Sequence, residues 1–238
     1  MSHQESQIEM PSLFRSVALD VKSPGPSLRE RLAQVDAERL NQWTHGCGFL
    51  LSLIGGWVLV QQAIATGGLQ RIVGCSIYAV SLILLYLAST LSHSFSDPVL
   101  RGRFRLLDQI CIFLLAAGSY TPLGLVYLSS DARVLILVVM WVLAGCGIVE
   151  RLYTGHERIR VPFYLMIGWV PVFVLGAIST LGGTPAVALV IAGGLCYSLG
   201  ALFLVNDHRH PCLHAIWHLM TMTASTCHYL FILLYVAN

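Results

Sequence analysis

Apolar residues fall in seven long blocks along the chain: Thr44–Ala65, Ile72–His93, Leu106–Leu128, Val134–Val149, Val161–Leu181, Pro185–Val205 and Cys212–Val236. A helix of roughly 20 residues, rising about 1.5 Å per residue, spans the hydrocarbon core of a bilayer, and all but the fourth block approach that length. The breaks between blocks are short and marked by Gly, Pro or charge: Gly67-Gly68, Ser96-Asp97-Pro98, Ser129-Ser130-Asp131, Gly182-Gly183, and Asp207 to Pro211. Within blocks the period-two alternation of membrane strands is absent. The pattern therefore predicts an all-α membrane protein, a bundle of seven transmembrane helices. Pro122 in the third block and Pro162 and Pro171 in the fifth predict kinks, which neighbouring helices can accommodate. Gly55-Gly56, Gly145 with Gly147, and Gly193-Gly194 predict close helix approaches.

The chain ahead of the first block reads differently. Residues 1–26 are polar and end in Ser23-Pro24-Gly25-Pro26, a composition that favours disorder. Ser27 and Glu30 have capping-box spacing, and Leu28, Leu32, Val35 and Leu40 then recur at helical intervals among Arg29, Glu30, Arg31, Asp36 and Arg39. This predicts a short amphipathic helix on the membrane interface, giving a tail over residues 1–36 and a membrane domain over residues 37–238. No signal-peptide-like run occurs in the first 30 residues, so a cleaved leader is not expected. No internal repeat is evident, which argues against a transporter built from inverted halves.

Composition supports the pattern: 56% of residues are hydrophobic and 11% charged, far from a soluble domain. Charge adds orientation. Of the 14 Lys and Arg residues, only Arg71 and Arg133 follow odd-numbered blocks; the others precede the first block or lie in the 2–3, 4–5 and 6–7 connectors. The positive-inside rule then puts the N-terminus in the cytoplasm and the C-terminus outside. Membrane lipids, whose anionic head groups suit the basic loops, are the expected partners, and nucleic acid is not. The seven cysteines are scattered singly with no C-x-x-C, which indicates packing rather than a disulfide framework or a thiolate zinc knuckle.

The ionisable residues within or beside the blocks carry the chemistry. Asp108 is the only acidic residue inside an apolar block; His45 opens the first, His93 closes the second, and His214 and His218 begin the last. In a seven-helix bundle these residues share one membrane face, and intramembrane ionisable groups mark functional sites by default. His214 and His218, four apart, project from one helix face and can grip one ion; His93 at matching depth would complete three ligands and leave a position for water, the pattern of a catalytic zinc. Zinc lowers the pKa of bound water to roughly 7, and Asp108 is the carboxylate at that depth able to accept its proton. Asp108 has the alternative of pairing with Arg103 or Arg105. Ser89, one turn before His93, could polarise the water or bond its own helix carbonyl. Glu38, Asn41 and His45 share a face at the start of the first block and could orient the metal ligands, or Glu38 could serve as an interfacial cap. His228, about 15 Å along the last helix from His218, is too distant for the same ion and reads as a packed core residue.

These residues, in this order, resemble the hemolysin III group of the progestin and adipoQ receptor family. The motifs are Glu38-x-x-Asn41-x-x-x-His45, Ser89-x-x-x-His93 with Asp108 downstream, and His214-x-x-x-His218, and the stretch Ala117 to Pro122 also looks like the bacterial branch. The resemblance covers the chain from about Glu38 to its end. It implies zinc held by His93, His214 and His218, Asp108 near the metal-bound water, and a hydrolase-like site of the ceramidase type in a bacterial inner membrane. Ser92 and Gln109 depart from residues common in the group, Tyr and His, and bear on substrate contacts rather than on the ligand set.

Three functions follow as expectations. The first is a zinc-dependent membrane hydrolase of a lipid amide or ester. The second is a non-enzymatic sensor or regulator in which zinc braces helices. The third, implied by the group's name, is a membrane-damaging haemolysin, which the concentration of polar residues at one end of the bundle disfavours. Substrate and oligomeric state are not legible.

Overall fold

The structure, a computed structural model, describes residues 27–127, 130–154, 161–210 and 212–238; the polar tail over residues 1–26, with His156, Arg158 and Arg160, lies outside the described residues. The described residues form seven α-helices: α1 (Leu28–Thr66), α2 (Leu69–Ser92), α3 (Pro98–Val126), α4 (Ser130–Thr154), α5 (Val161–Gly168), α6 (Leu175–Val205) and α7 (Cys212–Tyr235). Single 3₁₀ turns at Val170–Val174 and Asp207–Arg209 join α5 to α6 and α6 to α7.

Local chemistry sets these boundaries. Gly67 and Gly68 both take positive φ, of 86° and 91°, which an L side chain rarely adopts, and so reverse the chain between α1 and α2. Asp97 caps α3, its carboxylate accepting the Leu100 N–H at 2.8 Å, with Pro98 as the first helical residue. The expected interfacial helix is continuous with the first apolar block, since α1 runs unbroken from Leu28 to Thr66. The fourth block is longer than its hydropathy suggested: α4 runs past Val149 to Thr154, and its apolar stretch covers Val134–Tyr153, 20 residues.

The fifth block differs from a single kinked helix. Pro171, which lacks an N–H, stands in the 3₁₀ turn where the regular ladder lapses after Trp169. The helix resumes as α6 and loses helical geometry at Gly182 and Gly183, the latter at φ 61°. Gly182 abuts Tyr235 at the end of α7, so this break lies at the opposite end of the bundle from Asp207 and His214.

Five described stretches are long and apolar enough to cross a membrane: Val35–Thr66, Leu69–Ser92, Pro98–Val126, Val134–Tyr153 and Val161–Val205. Leu50, Leu51, Ile54 and Trp57 on α1, and Val134, Leu135, Val138 and Val142 on α4, point outward as an apolar surface far larger than a soluble monomer exposes. The protein is an integral membrane protein. Inside, α2 packs between α1 and α3, while α7 packs between α1 and α6. Tyr78, Leu82, Leu85 and Tyr86 of α2 meet Cys111, Leu115 and Ala117 of α3 in the core. The α2–α3 contact is close because Gly74 has no side chain: a Cβ there would lie 2.7 Å from the Pro122 Cα.

Candidate metal centre

The packing brings the start of α1, the end of α2, the start of α3 and the start of α7 to one end of the bundle. There, His93, His214 and His218 each offer a ring nitrogen, all within 4.8 Å of one another. Their ring centroids are 5.1 Å apart for His93–His214 and for His93–His218, and 4.7 Å for His214–His218. His93 is the C-cap residue of α2, while His214 and His218 share a face of α7.

Each imidazole is held from behind at Nδ1. His93 Nδ1 meets Glu38 Oε2 at 2.6 Å, and His214 Nδ1 meets Asp207 Oδ2 at 2.9 Å. An ionised carboxylate only accepts, so both nitrogens carry the proton. His218 Nδ1 lies 3.1 Å from Thr44 Oγ1, whose hydroxyl donates to the Asn41 carbonyl at 2.9 Å. That hydroxyl has one hydrogen, already used, so His218 Nδ1–H donates to it. By this assignment from hydrogen bonding, three neutral rings turn Nε2 lone pairs toward a shared point. His218 and His93 are buried. Three converging acceptors with no donor between them suit a cation. The donor set fits a metal that favours imidazole, a class that includes zinc, copper, iron and nickel, and the outer partners fix tautomer and ring orientation as at known metal sites.

Asp108 lies beside the cluster on α3, with the Ser89 hydroxyl and Arg105 as its polar neighbours. Ser89 does not bond its own helix carbonyl; its hydroxyl lies 2.6 Å from His45 Nδ1, joining His45 toward Asp108. Arg105, a neighbour of Asp108, also pairs with Glu38 at 3.6 Å, as Arg101 does at 3.8 Å, and Arg103 is exposed.

The three residues of the first-helix motif differ in what they touch. Glu38 bonds a ligand ring directly, but His45 stacks face to face on His218 at 3.6 Å, with its Nε2 buried and unpartnered, and the Asn41 Oδ1 likewise has no partner. The partners of the other two rings, Thr44 and Asp207, were missed in the sequence. Thr44 reads as the first residue of an apolar block, and Asp207 as a loop acid; its being the only acidic residue in the 6–7 connector was the available signal. The bond from His214 holds the Asp207 carboxyl below the usual carboxylate range.

The two departures, Ser92 and Gln109, both line the cavity beside the histidines and both bond within the protein. Ser92 is buried and donates to the Ser89 carbonyl at 2.8 Å. The Gln109 amide oxygen accepts from the buried Arg151 of α4.

A cavity of 1490 Å³ opens beside the cluster, lined at one end by Glu38, His93 and Asp108 and at the other by Tyr197, Thr221 and His228. It exceeds the roughly 300–1,000 Å³ of an ordinary small-molecule site and has the reach for a long amphiphile. His228, expected as a core residue, lines it and bonds the Val190 carbonyl at 3.4 Å.

The family model described as Haemolysin-III related matches residues 33–229. The chain is 34% identical over 204 residues to Hemolysin-3 of Bacillus cereus, covering 85% of this chain and 93% of that one. It is 32% identical over 203 residues to the Hemolysin-3 homolog of Bacillus subtilis (strain 168), covering 84% and 95%. It is also 35% identical over 162 residues to the human monocyte to macrophage differentiation factor, covering 64% and 66%. With both the ordered histidine motifs and this extent of similarity, the chain belongs to the haemolysin-III-related family of the progestin and adipoQ receptor group.

Proposed function

We propose that this protein is a zinc-dependent hydrolase of a lipid amide or ester, working from within a bacterial inner membrane with its site near the cytoplasmic face. The observation that carries the reading is the convergence of a ring nitrogen from each of three histidines, each ring bonded at Nδ1 by a neighbour, with Asp108 lining the same cavity. His93, His214 and His218 would hold the ion. Zinc there supplies Lewis acidity and lowers the pKa of a coordinated water. Asp108 then accepts a proton from the attacking water and returns it to the leaving amine or alcohol. Ser89 keeps the Asp108 carboxyl oriented, and His45, packed on His218, closes the cluster toward α1. The cavity has the room to admit the lipid chain.

The reading includes seven membrane crossings with the N-terminus cytoplasmic. Its support is that α6 folds back at Gly182–Gly183 beside Tyr235, so Val161–Val205 provides two crossings, with α7 as the seventh. The charge separation supports a histidine end that faces the cytoplasm. The amphipathic start of α1 would lie on the cytoplasmic head groups.

Asp108→Asn tests the hydrolase. The change keeps shape and removes the base, so cleavage in a lipid amide and ester panel should fall by about 10²–10⁴-fold with zinc retained. Equal rates for wild type, variant and a chelated control, or no cleavage by zinc-loaded protein, would favour a bracing zinc between α2 and α7 in a sensor or regulator.

A further inference from the structure

Arg101, Arg103 and Arg105 alternate along the first turns of α3, and helical spacing divides them. Arg101 and Arg105, four apart, share a face and line the cavity, whereas Arg103 is exposed and off that wall. Both cavity-lining guanidinium groups approach one oxygen, Glu38 Oε1, at 3.8 and 3.6 Å, while Oε2 of the same carboxylate bonds the His93 ring. These are ion-pair separations, longer than a hydrogen bond, so the carboxylate saturates neither group. Each guanidinium carries five N–H donors, of which Arg101 Nε–H is engaged by the Phe95 carbonyl at 2.9 Å. The two side chains are 32% and 52% exposed, so the remaining donors are within reach of a ligand. Among the described residues, the acids beside them also have other partners. Glu38 holds His93, Asp108 meets the Ser89 hydroxyl, and Asp97 accepts the Leu100 N–H as the cap of α3.

We propose that Arg101 and Arg105 bind the phosphate of an anionic lipid head group, and that Glu38 couples this site to the metal centre. The shared oxygen sets the geometry. Arg101 Nη1 and Arg105 Nη2 can be no farther apart than their two distances to Glu38 Oε1 laid end to end, and one phosphate with an oxygen on each spans that gap. A lipid is the source because this end of the bundle, with the amphipathic start of α1, lies at the cytoplasmic head groups in the proposed topology. A phosphate seated between the guanidinium groups takes over their charge, and Glu38 loses two competing cations. Its carboxylate then acts on the His93 Nδ1–H alone, which makes that ring a more basic ligand and tightens metal binding. Linkage requires the converse, that an ion at the histidines tightens the lipid. Because the Glu38 pairs are half-exposed, the coupling falls at the weak end of the usual range, about fivefold. The lipid site stands on the arginines alone, and the coupling rests on the metal centre proposed above.

The test places the full-length protein in nanodiscs of phosphatidylcholine, whose phosphate is already paired with choline, with or without phosphatidylglycerol. Zinc affinity read by chelator competition should be about fivefold tighter with phosphatidylglycerol. That gain should vanish in Arg101→Gln/Arg105→Gln and in Arg105→Gln alone, which spares the bond to Phe95. It should persist in Arg103→Gln, which removes the same charge from the other face. No gain in wild type, a gain that survives the double substitution, or an equal loss in Arg103→Gln overturns the coupling. A second readout needs no metal. Chelator-treated protein in detergent, followed by native mass spectrometry, should retain phosphatidylglycerol in wild type and Arg103→Gln and lose it in the double variant. Equal retention by all three overturns the lipid site. Retention in the expected order by a protein that binds no zinc overturns the metal centre and the coupling while the lipid site stands. Millimolar inorganic phosphate that reproduces the whole gain in phosphatidylcholine discs assigns the site to a soluble anion and overturns the lipid.

Discussion

The three partners at Nδ1 differ in burial, and this ranks their contributions to metal binding. Glu38 meets a His93 side chain that is only 5% exposed, whereas Asp207 and His214 are 36% and 25% exposed. In Asp207→Ala, water can replace the lost acceptor, so zinc affinity should fall near the lower end of the 10- to 100-fold range seen when an outer partner is removed. In Glu38→Ala, although the Glu38 side chain is 29% exposed, the lost partner leaves a donor on a His93 ring only 5% exposed, so water replaces the acceptor less readily than at the 25% exposed His214. An orphaned buried donor costs about 1–3 kcal/mol, and at 1.4 kcal/mol per tenfold the upper value exceeds 100-fold. Thr44→Val falls in the same class, because His218 is 1% exposed and Thr44 is its acceptor. Glu38→Gln keeps an amide oxygen at that position and should lie between wild type and Glu38→Ala. The half-exposed pairs of Glu38 with Arg101 and Arg105 contribute about 0–1 kcal/mol to stability and do not alter the ranking. Competition against a chromophoric chelator on purified protein reads all four affinities. A larger loss for Asp207→Ala than for Glu38→Ala, or no loss in any variant, would refute the role assigned to these bonds.

Gly147→Ala should lower the melting temperature in detergent, because its Cβ would fall 2.3 Å from the buried Phe113 ring, which is stacked on Tyr164 at 4.2 Å; such overpacking costs about 1–3 kcal/mol. Gly145→Ala meets nothing within 4 Å and should melt like wild type, so equal melting of both variants would count against the α3–α4 packing. Cysteine accessibility should find position 103 cytoplasmic and positions 68 and 238 outside; both chain ends on one side would exclude seven crossings. His228→Ala should leave zinc content unchanged, and loss of zinc there would place that ring in the metal site.

Much of the fold was legible because hydropathy over about 20 residues is a strong signal and the breaks carry Gly, Pro or charge. The fifth block was not, since apolar composition cannot distinguish a continuous helix from α5, a 3₁₀ turn at Pro171 and a fresh start at Leu175. The fourth block looked short because Glu150 and Arg151 end its apolar run, although the helix continues through them. At the site, helical spacing paired His214 with His218, and common depth brought in His93. Which atom holds each ring depends on how α1 rotates against α2 and α7, and sequence spacing on α1 alone does not encode that. The spacing on α1 therefore shows neither that Glu38 meets His93 nor that His45 stacks on His218 while bonding Ser89, and it gives no sign of Thr44. Asp207 lies across the break ahead of α7, where no helical period connects it to His214.

The most direct test is the metal itself, measured by elemental analysis and X-ray absorption on detergent-purified protein. About one zinc per chain is expected, with three imidazole nitrogens at roughly 2.0–2.1 Å and the signal lost when His93, His214 and His218 are all changed to alanine. A wild-type protein without metal, or unchanged zinc in the triple variant, would contradict a metal centre at these three histidines.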